Sequence, residues 1–242
     1  MTRLILNEFS LTLKILLRQP GFWIPTILFP AMFYAFFGAQ SSGRTAAYVM
    51  ASFTLYGVLG VGFYQFGVSV AQDRENPFAT WQKSLPGSPV NEWIARIAVS
   101  LIFVALAVLL VIGLGFAFNR VDVGPTALIR LGSVCLLAAT SATVMGIALG
   151  SVTSARAAVP FANLIYLPMA YLGGLWIPPS SLPSAIDAIS KWTPTRAMGE
   201  LGWAAIDGRA WDLSDVALLA AWTFGAALVV VYGQIKWARA AG

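Results

Sequence analysis

The chain has almost none of the residues on which most enzymatic chemistry depends. Its 242 residues include no histidine and one cysteine, and only 10% of them are charged. Without histidine, clustered cysteines or a buried pair of carboxylates, the usual metal sites and acid–base catalysis lack their residues. No GxxxxGK[ST] run is present, so the loop that cradles nucleotide phosphates is missing as well. We therefore predict no catalytic, cofactor-binding or metal-binding residue in this chain.

Apolar residues are what the chain has in abundance. They make up 58% of the sequence, far more than in a soluble globular domain. A helix needs about 20 apolar residues to cross a hydrocarbon core of roughly 30 Å. Six such stretches lie at about 22–39, 47–71, 94–118, 127–151, 159–177 and 213–235. The sequence predicts an all-α integral membrane protein with six transmembrane helices, forming one transmembrane domain over residues 1–242.

The N-terminal segment 1–21 differs from these stretches because it is amphipathic. Its polar residues follow one another at spacings of four, three, four and four, which is one stripe of a helix: Arg3, Asn7, Ser10, Lys14 and Arg18. This pattern predicts a helix that lies in the membrane interface before the first span. The alternative, a long first span that begins near residue 3, would bury Lys14 and Arg18 deep in the bilayer.

The distribution of basic residues predicts the orientation. With the N-terminus in the cytoplasm, nine Lys and Arg residues lie inside and six outside. Cytoplasmic loops carry the excess of Lys and Arg in membrane proteins. We therefore expect both termini in the cytoplasm and attribute the net charge of +5 to this bias, with membrane lipid and not nucleic acid as the partner.

Two features of the spans bear on packing and energy supply. Ala142, Gly146 and Gly150 recur every four residues in the fourth span, a small-residue face that permits close helix contact. The span interiors hold no Asp, Glu or Lys, whereas ion-coupled transporters place an ionisable group at membrane depth. We therefore expect that a partner protein, and not an ion gradient acting on this chain, supplies the energy for any transport.

The loop after the second span is the most informative segment, and it contains DRENPFATWQKSLPGSP at residues 73–89. It reads as a short helix closed by the Pro-Gly-Ser-Pro stop. Phe78, Trp81 and Leu85 fall at spacings of three and four, which places them on one apolar ridge. The ridge either anchors the loop among lipid headgroups or docks onto a cytoplasmic protein.

Taken together, these features resemble the membrane subunits of type-2 ABC exporters, a class that includes bacterial drug and antibiotic exporters. The resemblance covers nearly the whole chain. It rests on the amphipathic entry helix, six spans, the loop at 73–89, and the pattern Gly173-Gly174, Pro178, Leu182-Pro183 and Pro194 after the fifth span.

The resemblance implies a permease dimer, with itself or a related subunit, on two copies of a separate ATPase that binds ATP and Mg. Glu75 to Ser84 would be the coupling helix, and short helices between Pro178 and Asp212 would dip into the outer leaflet. The predicted coupling residues are Glu75, Asn76, Phe78, Trp81, Lys83 and Leu85.

Aromatic residues gather in the first, second and fifth spans. Most should pack or face lipid, but a subset with nearby polar groups would line a pathway for an amphiphilic substrate. The candidate pathway residues are Phe33, Tyr56, Tyr64, Gln65, Asn163, Tyr166 and Tyr171. Such an oily lining suits hydrophobic drugs or lipids better than small ions.

Together with this resemblance, the sequence predicts the permease subunit of an ATP-driven exporter of hydrophobic or amphiphilic compounds in a bacterial inner membrane, with the direction of transport implied by the resemblance. Export of a polysaccharide or glycolipid is an alternative. A membrane anchoring or assembly protein that recruits partners through the Phe78–Leu85 ridge is another. A lipid-modifying enzyme ranks last because it needs converging carboxylates or histidines near one interface.

Overall fold

A computed structural model describes residues 2–38, 40–76, 89–119 and 121–240, and every regular element in these ranges is a helix. The all-α membrane architecture predicted from composition is confirmed. The α-helices are α1 (Thr2–Leu17), α2 (Pro20–Phe33), α3 (Gly43–Leu59), α4 (Phe66–Glu75), α5 (Pro89–Asn119), α6 (Pro125–Val152), α7 (Ala155–Leu172), α8 (Ser184–Ser190), α9 (Pro194–Asp207) and α10 (Leu213–Ala240). Wide π-helical turns follow α2 at Tyr34–Gly38 and join α3 to α4 at Gly60–Gln65.

Within the described ranges, four helices are long and apolar enough to cross a membrane. They are Gly43–Glu75, Asn91–Asn119, Pro125–Val152 and Leu213–Lys236, and Trp23–Gly38 is a shorter apolar helix. The first of them runs through α3, the wide turn and α4 for 33 residues. Helix α7 has 18 residues and includes Pro160 and Pro168. The number of six spans and the interfacial position of α1 stay predictions.

Several helix boundaries differ from the expected ones by a few residues. The first apolar stretch was expected to begin at about 22, but α2 begins at Pro20, whose missing N–H costs no hydrogen bond in the first turn of a helix. The fifth apolar helix ends at Leu172 and not at 177. The reason is local, since Gly174 has a φ of 73°, a left-handed conformation that favours glycine and turns the chain away.

Helix α6 is central, since it packs against α3, α4, α5, α9 and α10. Its small residues Ala142, Gly146 and Gly150 lie against the Gly43–Glu75 helix at Gly62 and Gly67. A Cβ atom added to Gly146 would lie 2.5 Å from the Gly62 carbonyl oxygen and 2.6 Å from that of Phe63. The two backbones are therefore in direct contact, as small residues permit between membrane helices.

Helices α8 and α9 form a separate layer at one end of the bundle. The Thr193 hydroxyl caps α9 by accepting a hydrogen bond from the Arg196 N–H at 3.2 Å. The Arg196 side chain contacts Asp187 of α8 at 2.9 Å and Glu200 at 2.8 Å. These contacts hold the two short helices in one orientation.

Helix α9 is buried in protein along most of its length. Leu201 and Trp203 are buried, and the Trp203 indole N–H donates to the Ser52 hydroxyl of α3 at 2.9 Å. The resemblance implies that short helices in this segment dip into the outer leaflet, whereas these two side chains of α9 pack against the bundle. Ile189 and Trp192, in contrast, are 62% and 74% exposed.

Asp207 ties the end of α9 to the start of α3. Its carboxylate lies 2.6 Å from the Arg44 guanidinium and 2.9 Å from that of Arg209, and it accepts a hydrogen bond from the Tyr48 hydroxyl. Burial of the side chain opposes ionisation, but the hydrogen bonds from Tyr48, Arg44 and Arg209 outweigh it and lower the pKa of Asp207 to about 2. This end of the bundle is called the Asp207 end below.

The backbone contact at Gly146 predicts that alanine substitution of two glycines of α6 has different effects on stability. We expect Gly146→Ala to lower the free energy of unfolding by roughly 1–3 kcal/mol, because the added methyl group forces two backbones apart. Gly132→Ala is the matched control, since nothing lies within 4 Å of a Cβ atom there. Thermal unfolding in detergent measures both, and equal midpoints for the two variants would contradict the backbone contact.

The Asp207 contacts predict a pH dependence of stability. The folded-state pKa of about 2 lies below the ordinary 3.8, so the ionised carboxylate stabilises the fold above pH 3.8, and this is lost as pH falls toward 2. We expect Asp207→Asn to lower the unfolding temperature at pH 7 and the difference from wild type to shrink below pH 4. Asp122→Asn, at an exposed position, is the control that should leave the midpoint unchanged at both pH values.

Candidate functional site

At the end of the bundle opposite Asp207, Arg96 joins α4 to α5. Its guanidinium lies 2.9 Å from the Asp73 carboxylate of α4 and 2.9 Å from the Glu92 carboxylate of its own helix. These three residues are called the Arg96 cluster. Glu8 of α1 lies nearby, where burial and the Glu92 charge raise the pKa of its carboxyl while Arg96 opposes them. Because α1 also packs against α5, three helices meet at this cluster.

The end of α4 is fixed to the neighbouring helices by its last two residues. The Arg74 guanidinium donates a hydrogen bond to the Gly150 carbonyl oxygen near the end of α6. The Glu75 carboxylate accepts a hydrogen bond from the Ala155 N–H at 3.0 Å, at the start of α7. A carboxylate at a helix N-terminus is stabilised by the unpaired N–H groups there. The chain therefore leaves α4 from a position held by α6 and α7.

Only part of the predicted coupling segment lies in the described ranges. Glu75 is the last residue of α4 and not the start of a separate helix, and the Asn76 N–H donates to the Asp73 carbonyl oxygen at 3.2 Å. The remaining predicted coupling residues lie outside the described residues; they are Phe78, Trp81, Lys83 and Leu85. Both flanks of this segment, α4 and α5, are tied together by the Arg96 cluster.

Four of the predicted pathway residues come together in the interior of the bundle. The rings of Phe33 and Tyr56 are 5.8 Å apart, those of Tyr56 and Tyr166 are 5.2 Å apart, and those of Tyr64 and Tyr166 are 5.8 Å apart. Trp176 completes the group at 5.7 Å from Tyr56. These five residues are called the aromatic cluster, and they join the first, second and fifth apolar segments.

The aromatic cluster is enclosed at its centre and open at one edge. Tyr56 is 3% exposed and Tyr166 is 8% exposed, so their rings are buried within one chain. Phe37 stacks on Phe33 at 5.8 Å and is 63% exposed, which brings aromatic surface out to the bundle exterior. Aromatic surface is therefore exposed at this edge of the bundle, with further rings buried behind it.

The other predicted pathway residues are not part of this group. Asn163 and Tyr171 are half-buried on α7 and take no part in the ring contacts above. Gln65 lies in the wide turn Gly60–Gln65, and its side chain is outside the described residues. Trp176 was absent from the predicted set, because its contact with Tyr56 depends on the turn at Gly174 that follows α7.

The described residues place no three Cys, Asp or Glu side chains where they could hold a metal ion. The class of protein is indicated by the family that the chain matches and not by a metal or catalytic site. A family model described as "ABC-2 family transporter protein" matches residues 6–233. The chain belongs to the ABC-2 family of transporters. The chain is also 21% identical over 216 residues to "Putative transport permease YvfS" of Bacillus subtilis (strain 168), covering 87% of this chain and 88% of the relative.

Membership of the ABC-2 family decides several of the questions raised by the sequence. The chain is a multi-pass transport permease of an ABC transporter and not an enzyme, as predicted. An ABC-2 permease works with a partner ABC ATPase subunit, in agreement with the missing phosphate-binding loop. The Arg96 cluster and the aromatic cluster therefore belong to a transport subunit.

Proposed function

We propose that this ABC-2 permease exports a hydrophobic or amphiphilic compound, such as a drug, antibiotic or lipid-like molecule, from a bacterial cell. The aromatic cluster carries this proposal. It presents aromatic surface at exposed Phe37, backed by ring contacts that continue to buried Tyr166, and large apolar molecules bind to aromatic surfaces. A hydrated polysaccharide would need many more polar partners than these rings provide.

The proposed assembly is a dimer, with itself or a related permease, on two copies of the ATPase in the inner membrane. The orientation follows the bias of nine against six basic residues, so both termini and the Arg96 cluster face the cytoplasm. Six spans cross the bilayer, with α2 and α7 as the first and fifth. Helix α1, whose Leu6 and Leu11 are exposed, lies in the interface.

The coupling helix from Glu75 to Ser84, with the adjacent Leu85, is proposed to couple ATP hydrolysis to transport. Its position supports this role, because it connects α4 and α5 where the Arg96 cluster holds them together. Movement of the segment by the ATPase is passed to α4, and through Arg74 and Glu75 to α6 and α7. If the chain were instead a membrane anchoring or assembly protein, a partner would dock at this segment but no compound would be transported.

The coupling role predicts the effect of charging the apolar ridge. We expect Phe78→Asp with Trp81→Asp to abolish binding of the co-expressed ATPase, because two carboxylates replace the aromatic contact. Arg96→Gln should leave the complex intact but lower its coupled ATPase activity several-fold, because α4 and α5 are no longer held together. Co-purification and ATP hydrolysis in liposomes measure these effects.

The control variant for this experiment charges an equally apolar surface at the Asp207 end. Ile189→Asp with Trp192→Asp places two carboxylates on exposed side chains and should leave ATPase binding unchanged. A ridge variant that still binds and couples would overturn the coupling assignment. Binding of the ATPase without transport of any compound would favour the alternative that the chain is an anchoring or assembly protein.

The aromatic cluster predicts which cargo is recognised. We expect Phe33→Ala to raise the half-maximal concentration of a lipophilic dye in ATP-driven uptake into inverted vesicles by up to about tenfold, the scale of one lost aromatic contact. Phe118→Ala, a control at an exposed position, should not change it. Transport of a lipid-linked saccharide with no response to the dye would instead favour the polysaccharide alternative.

A further inference from the structure

An apolar groove runs along the bundle between α7 and α10. Both helices pack on α6, which forms the floor of the groove with Met145 and Leu149. One side is formed by Met169 of α7, and the other by Trp222 and Val229 of α10. Phe63 also lines the groove, and none of the lining residues belongs to the aromatic cluster or to the Arg96 cluster.

The groove has the size and chemistry of a site for a hydrocarbon chain. Its volume is about 520 Å³, and all of its lining residues are apolar. A cavity of about 150 Å³ is enough to hold benzene. The groove is more than three times larger than that cavity, so it has room for a hydrocarbon chain. The indole N–H of Trp222 donates to the Trp192 carbonyl oxygen at 2.9 Å. This N–H group therefore already has a hydrogen-bond partner, and an apolar ligand in the groove leaves it paired.

Basic residues lie beyond one end of the groove. Val152, a lining residue, is followed by the start of α7, whose second residue is Arg156. On α10, Gly233 lies against Ser151, since a Cβ atom there would be 2.8 Å from the Ser151 hydroxyl oxygen. Lys236 lies one helical turn further along α10.

These two basic side chains are available to a ligand from outside the chain. Arg156 and Lys236 are both exposed, and among the described side chains no carboxylate forms an ion pair with either. In the orientation proposed above they lie at the cytoplasmic surface of the membrane. Basic pockets between transmembrane helices on that side bind the head groups of anionic lipids.

We infer that the groove binds one acyl chain of an anionic phospholipid whose phosphate contacts Arg156 and Lys236. The lipid is a bound component of the permease and is not its cargo. Its chain fills the space between α7 and α10, and its head group links the start of α7 to the end of α10. This site is additional to the proposed transport function, although the leaflet that supplies the lipid rests on the proposed orientation.

The apolar surface elsewhere on α10 differs from this site. Phe224 and Val231 are 67% and 52% exposed, as expected of side chains that contact bulk lipid. They do not line the groove. Bulk lipid contact predicts no preference for a head group, whereas the inferred site predicts a preference for negative charge.

Native mass spectrometry of the detergent-purified permease tests the inference. Phosphatidylglycerol and phosphatidylcholine with identical acyl chains are added separately, and the bound fraction is measured against lipid concentration. We expect one phosphatidylglycerol per chain to be retained where phosphatidylcholine is lost. Arg156→Gln with Lys236→Gln should weaken phosphatidylglycerol binding by about fivefold per charge. Lys14→Gln with Arg18→Gln, which removes two exposed charges from α1, should not.

A second pair of variants tests the groove itself. Gly225 lines the groove, and nothing lies within 4 Å of a Cβ atom there, so Gly225→Leu fills the groove without a backbone clash. It should prevent retention of phosphatidylglycerol. Gly113→Leu on α5, where the space is equally open, should not change binding. Ala221→Leu, at another lining position, repeats the test if the first variant is unstable in detergent.

Several results would overturn the inference. Equal retention of the two lipids, or no effect of the charge variant, would exclude recognition of the head group. Retention by both groove variants would exclude the groove as the position of the chain. A change in oligomeric state in the groove variants, with lipid binding unchanged, would instead make this face a contact between two copies of the permease.

Discussion

The backbones of α6 and of the Gly43–Glu75 helix touch at Gly62 and Gly146, and much of the molecule is arranged around this contact. In a bilayer, helices gain little from burying apolar surface, so close packing and hydrogen bonds decide which faces meet. The contact places α4 beside the end of α6, where Arg74 reaches the Gly150 carbonyl oxygen. It also sets the position of α6, which forms the floor on which α7, α9 and α10 rest. The connections at the end of α4 and the groove both depend on this geometry.

Two wide turns lie at the aromatic cluster. A π-helical turn inserts extra backbone into a helix, and such turns occur often at functional sites. The turn at Tyr34–Gly38 contains Phe37, which stacks on Phe33 one helical turn earlier, and the turn at Gly60–Gln65 contains Tyr64, which meets Tyr166. Irregular helix geometry and aromatic composition therefore coincide at this cluster.

Apolar runs and small-residue spacing were sufficient to predict an all-helical membrane protein, because both reflect local chemistry. The neighbours of each side chain could not be predicted in the same way. The run that forms α9 has an apolar face that suits lipid or protein equally, and only the fold places Trp203 against Ser52. Arg96 is one of several basic residues in its segment, and its partner Asp73 is 23 positions away along the chain. Such pairings depend on how separate helices pack, which no local pattern encodes.

The continuous helical path from Gly43 to Glu75 has a consequence for the position of its charged residues. A helix of 33 residues is about 50 Å long, whereas the hydrocarbon core of a bilayer is only about 30 Å thick. Arg44 near one end and Asp73 near the other are therefore separated by more than the thickness of the hydrocarbon. The ion pairs of Arg44 with Asp207 and of Asp73 with Arg96 can both lie outside the hydrocarbon, while the Gly62 contact with α6 lies between them.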